Sequence, residues 1–188
     1  PLTLAETASV FGEMLTFKKV LKSATSKEQK RILLAGKIED QINTVVRQIA
    51  FYDFECKLHE ARSKGELSSD DINKLWMSIQ GSSLGPAFEF MEGYETFWAY
   101  IPHFVHSPFY VYAYAFGDGL VNALYSSYEA GCPDFQQKYI NMLKAGGSQH
   151  HTELLKPFGL NASDPKFWEL GLNLISNMID ELESLDDL

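Results

Sequence analysis

Residues 25–65 read TSKEQKRILLAGKIEDQINTVVRQIAFYDFECKLHEARSKG. The spacing of apolar positions in this stretch decides the fold class. Ile32, Ala35, Ile38, Ile42, Val46 and Ile49 recur three and four residues apart, as one face of a helix with about 3.6 residues per turn requires. The stripe continues through Tyr52, Cys56 and His59 to Gly65. Thr25-Ser26-Lys27-Glu28 supplies start signals ahead of it. The pattern predicts one long helix with this stripe turned to the core of a bundle.

Working outward, the same grammar repeats. Thr3-Leu4-Ala5-Glu6 has the form of a capping box, and Leu4, Ala8, Phe11 and Leu15 then share a face to about residue 22. Ser68 or Ser69 caps a third helix carrying Ile72, Leu75, Trp76 and Ile79, which the Gly- and Pro-bearing residues 81–86 end. Pro108 suits a first helical turn, so a helix is predicted over residues 107–128. Shorter helices are predicted at 134–145 and 149–156. Ser163-Asp164-Pro165 opens a last one with Phe167, Leu170, Leu174, Ile175, Met178 and Leu182 on its apolar side. Strand-like alternation is scarce, and there is no internal repeat or long Gly/Ser linker. With 188 residues to bury one sizeable core, the expectation is an all-α multi-helix bundle forming one domain over residues 1–188.

The net charge of −9 argues against nucleic acid, whose phosphates need a basic patch. The densest basic run, KEQKR at 27–31, contains a Glu and has the character of a solvated helix start. Cys56 and Cys132 are far apart and in no metal-ligand spacing, which favours a reducing, cytoplasmic location over a disulfide framework. Residues 97–116 are long enough to cross a bilayer, but two prolines, two histidines and four tyrosines are spread along them. A buried, ligand-facing segment is the better expectation.

Within it lies IPHFVHSPFYVYAYAFG, residues 101–117, which has no Asp, Glu, Lys or Arg. On a helix from Pro108, Tyr110 and Tyr114 share a face while Tyr112 stands about 180° from their mean direction. Buried phenols need hydrogen-bond partners. A row of them beside His103 and His106 describes either an aromatic core helix or a wall of donors facing a polar cleft. As a metal pair His103-x-x-His106 is poorly spaced between two prolines, and the neighbours His150 and His151 point to different sides of a helix. Near the start of the chain, Glu6 and Glu13 lie about two helical turns apart with Ser9 between them, so both carboxylates share a face. One carboxylate can ligate a metal while the other orients it. Equally, Glu6 completes the capping box with Thr3 and Glu13 is a surface acid.

The segment Leu4-Ala5-Glu6-Thr7-Ala8-Ser9-Val10-Phe11-Gly12-Glu13-Met14 resembles a stretch of the oligoendopeptidase F group of zinc metallopeptidases, in the thimet oligopeptidase-like family. Ile101-Pro102-His103-Phe104 with Phe109-Tyr110-Val111-Tyr112-Ala113-Tyr114-Ala115 resembles that family's substrate-channel stretch. The likeness extends through Asn43-Thr44-Val45-Val46-Arg47-Gln48-Ile49-Ala50-Phe51-Tyr52-Asp53-Phe54-Glu55. The resemblance implies a helical peptidase hydrolysing internal bonds of oligopeptides with one zinc ion. It implies Glu6 as third protein ligand, Ser9 and Glu13 as supports, and His103 with Tyr110, Tyr112 or Tyr114 as substrate and oxyanion contacts, His106 ranking below them. The family's H-E-x-x-H motif occurs nowhere in the 188 residues. The chain is therefore expected to correspond to the C-terminal part of such an enzyme, to need the missing N-terminal part as its partner, and to hold zinc poorly and be inactive alone. The contending expectation is a non-catalytic all-α module whose aromatic groove binds a peptide or partner helix.

Overall fold

A computed structural model of the chain describes residues 5–186. Helices follow one another in the order α1 (Thr7–Ser23), α2 (Lys27–Gln41), α3 (Arg47–Ser63), α4 (Ser69–Leu84), the single turn α5 (His103–His106), α6 (Tyr112–Glu129), α7 (Phe135–Ala145), α8 (His151–Leu155) and α9 (Pro165–Asp186). No strand occurs among the described residues, as the all-α expectation requires. The packing divides the chain into two compact units, one built from residues up to Gln41 and from Phe116 onward, the other from Ile42–Ala115.

In the first unit, α2 lies along α9, and Phe11, Met14, Leu120, Leu124, Phe135, Leu155, Phe167 and Leu174 form the core. Helix α6 meets α9 at two glycines: a Cβ on Gly171 would stand 3.3 Å from the Gly119 carbonyl oxygen. A side chain at either position would hold the helices apart. Glu6 is the N-cap of α1 and makes no side-chain capping bond. Thr3 and Leu4 of the predicted capping box and stripe lie outside the described residues.

The second unit packs α3 against α4 around Phe51, Phe54, Trp76, Ile79 and Val111. Ser68 and Asp71 form the capping box that starts α4, each side chain accepting the other's backbone N–H at 3.2 and 3.1 Å. Five residues after Asp71 the helix presents Trp76, which is fully buried. Its Nε1–H donates to the Tyr94 carbonyl at 2.9 Å and its ring lies against Phe51 and Phe54. Losing such a side chain costs about 3–5 kcal/mol.

Two expectations need correction. The long helix is interrupted by a π-turn at Ile42–Val46, between α2 and α3, and the extra residue in that turn shifts the phase of everything after it. The buried positions are Leu34, Lys37, Ile38, Gln41, Val45, Ala50, Phe51, Phe54 and Glu55, whereas Ile32, Ile49 and Tyr52 of the predicted stripe are 62%, 54% and 37% exposed. Of the predicted stripe only Ile38 is buried, and three of the buried residues are polar, which an apolar-stripe reading omits. The second correction concerns α6, which begins at Tyr112 and not at Ser107. Phe109 adopts φ +60°, a left-handed conformation that no helix can pass through.

Candidate functional site

The His/Tyr stretch is shaped by its prolines and by Phe109. Pro102 caps the one-turn α5 at φ −66°, the angle its ring imposes, and this turn presents His103. The chain then leaves the helix at Ser107, whose carbonyl accepts the Tyr110 N–H at 3.1 Å across the left-handed Phe109. This reversal brings Tyr110 back over α5. His103 Nε2 and the Tyr114 hydroxyl are 3.2 Å apart. The His103 and Tyr110 rings stack at 5.9 Å, and Tyr110 meets Tyr114 edge-on at 5.3 Å. Tyr110 and Tyr114 thus share one side, with His103 joining them. Tyr112 turns away to pack on Tyr52 at 5.4 Å and is 37% exposed. His106 is exposed and takes no part in these ring contacts.

On α1, Ser9 Oγ donates to both the Glu6 backbone carbonyl at 2.9 Å and the Glu6 Oε2 at 3.2 Å. Glu13 is engaged elsewhere: its Oε1 accepts from Lys37 Nζ at 2.5 Å, and that lysine is only 6% exposed. Deeper in the same unit, Asp118 accepts from Gln41 at 3.0 Å and from Asn122 at 2.8 Å, and Asn122 also donates to Gln41 at 3.1 Å. Burial pushes the Asp118 carboxyl above its ordinary value, while the Gln41 bond and the charge of Lys37 pull the other way. Among the described residues no three His, Cys, Asp or Glu side chains cluster as a metal would need. Among the described residues there is thus no complete metal centre, and Glu6 stands as a carboxylate to which Ser9 donates.

A polar residue that the apolar-stripe reading passes over lies in the second unit. Glu55 is 1% exposed on the core face of α3, and its Oε1 accepts the Phe109 N–H at 2.9 Å. Burial holds this carboxyl above its ordinary value, against that N–H and the nearby charges of His59 and His103. The signal that would have found it is its spacing: four residues after Phe51 and one after Phe54, Glu55 falls on the core face once the π-turn is counted.

No described helix is long and apolar enough to cross a membrane. Oligoendopeptidase F, plasmid, of Lactococcus lactis subsp. cremoris is 32% identical over 186 residues, which is 98% of this chain and 31% of that protein. Oligopeptidase PepF of Bacillus subtilis (strain 168) is 29% identical over 97% of this chain and 27% of its own length. The crystal structure of oligoendopeptidase-F from Enterococcus faecium superposes with a TM-score of 0.89 at 26% identity, covering 100% of this chain and 36% of that one. The chain thus spans about a third of the length of the curated relatives it matches. The match to the family Peptidase family M3 runs over residues 1–174, and with these relatives beside it the chain belongs to that family.

Proposed function

We propose that this chain forms part of the catalytic domain of a zinc-dependent endopeptidase acting on oligopeptides, with both compact units belonging to that one domain. The observation that carries the reading is the His103, Tyr110 and Tyr114 group, an imidazole and two phenols gathered where the sequence carries no charge. When bound, zinc in such an enzyme supplies Lewis-acid activation of water and of the scissile carbonyl. Glu6 would be one of its ligands, and the Ser9 hydroxyl would orient the Glu6 carboxylate. Lys37 would hold Glu13 on the same face of α1. The hydroxyl of Tyr110 or Tyr112 donates a hydrogen bond to the oxyanion that develops as the carbonyl is attacked, already positioned before reaction. His103 contacts the substrate, with its Nε2 and the Tyr114 hydroxyl fixing each other's orientation. The remaining zinc ligands and the general base belong to an H-E-x-x-H segment in the rest of a longer protein, and the 188 residues alone are inactive in this reading.

The test is metal dependence in the intact protein. Peptide cleavage should vanish on chelation and return with zinc, and Glu6→Gln should lower the zinc retained per molecule. Cleavage that survives complete removal of metal would sink the proposal and favour a metal-indifferent peptide-binding role for the aromatic wall.

A further inference from the structure

We propose that Glu55 is a positioning residue for the peptidase site: its buried carboxylate pins the left-handed turn at Phe109 and so sets the places of Tyr110 and Tyr112. This rests on the function proposed above.

Phe109 is one of two described residues other than glycine with positive φ. A bulky side chain there carries about 1–2 kcal/mol of steric penalty, so the conformation persists only if its surroundings impose it. Two contacts from α3 do so. The Glu55 Oε1 accepts the Phe109 N–H at 2.9 Å, and the Phe109 ring is held against His59 at 4.9 Å and Tyr52 at 6.1 Å. Tyr52 and Glu55 stand one turn apart on α3. The first packs on Tyr112 at 5.4 Å while the second grips the backbone three residues before it. Tyr110 follows Phe109 directly, and its N–H closes the turn on the Ser107 carbonyl.

The same carboxylate is an expensive way to fill a core. Its Oε2 is buried with no hydrogen-bond partner, and a buried carboxyl costs several kcal/mol unless its bonds repay it. A leucine or methionine would suit the neighbouring Phe51 and Phe54 better. What the carboxylate provides that they cannot is an acceptor for the Phe109 N–H. If that N–H were released, the strained residue would relax toward negative φ and carry Tyr110 and Tyr112 with it. Only an acceptor is needed for this, so a glutamine, which keeps a carbonyl oxygen of the same reach, should serve.

In the intact protein, Glu55→Leu should lower kcat by roughly 10²-fold, the scale of a misplacement of about 1 Å, while KM and the unfolding midpoint change little. Glu55→Gln should keep kcat within about threefold of wild type. Native-state hydrogen exchange at the Phe109 amide should rise in the Leu variant and remain slow in the Gln variant. Full kcat in a folded Glu55→Leu protein would overturn the proposal. So would a Gln variant as impaired as Leu, since charge and not the acceptor would then matter. Should Glu55→Leu not fold, a Gln variant of wild-type stability with tenfold or greater loss of kcat still refutes it. Absence of peptidase activity in the wild type would defeat the function proposed above, and Phe109 exchange would still decide whether Glu55 holds the turn.

Discussion

Replacing Gly119 by alanine should destabilise the protein even though alanine is the better helix former. Within α6 the exchange gains about 0.8–1.0 kcal/mol of helix propensity. Against this, the new Cβ would lie 2.9 Å from Trp168 Cζ3 and 3.0 Å from Cε3, where carbon atoms rest at about 3.5–4.0 Å. The indole must retreat by roughly 0.5–1 Å to restore that separation. It is poorly placed to do so: its Nε1–H donates to the Ala162 carbonyl at 3.1 Å, and its ring meets Phe116 at 5.0 Å and Phe167 at 4.8 Å. Overpacking of this kind costs about 1–3 kcal/mol, and a strained indole hydrogen bond adds up to about 1. The net expectation is a loss of about 1–2 kcal/mol. Gly36 is the control, because it sits in α2 with ordinary helical φ and nothing within 4 Å of a Cβ. Gly36→Ala should stabilise by about 1 kcal/mol. Urea unfolding of the intact protein, with equal m-values, should therefore separate the two variants by about 2–3 kcal/mol in opposite directions from wild type. Adding Trp168→Phe should recover part of the Gly119→Ala loss, since a smaller ring leaves room. A Gly119→Ala protein as stable as wild type would refute the claim that the indole seals against a glycine here.

Two further outcomes follow from buried polar groups. Burial holds the Asp118 carboxyl above its ordinary value, so the folded chain binds this proton more tightly than the unfolded one. Its contribution to stability is complete below about pH 4, near the unfolded value, and is lost as pH rises through the raised folded value. Asp118→Asn abolishes the titration, so the variant should gain stability relative to wild type as pH rises above about 4; a difference that does not change with pH counts against this. For the proposed chemistry, Tyr110→Phe or Tyr112→Phe should lower kcat by roughly 10²-fold, as loss of an oxyanion donor does. Wild-type kcat in both variants removes these two phenols from that role.

The parts legible in the sequence are those governed by neighbours along the chain. Ser68 and Asp71 cap α4 because a helix start is satisfied within four residues. Tyr110 and Tyr114 meet, as a spacing of four suggests, although Tyr110 lies just ahead of α6. The likeness to oligoendopeptidase F segments was carried by motifs in order, and family membership followed. Less legible was anything that depends on distant segments. The stripe from Ile32 to His59 already failed at the exposed Ile32 and Ala35, ahead of the π-turn that then changed the period, because the true inner face holds the polar Lys37, Gln41 and Glu55. Each of these is buried against a partner contributed from elsewhere: Glu13 for Lys37, Asp118 and Asn122 for Gln41, the Phe109 N–H for Glu55.

The sequence by itself determined the helical class, most helix starts and the family, since caps, periods and short motifs are local properties of the chain. Tertiary structure alone decided which face of α2 and α3 is inside and where α6 begins. A polar side chain becomes a core residue only when a remote group satisfies it, and a phenylalanine stays left-handed only while its neighbours hold it there.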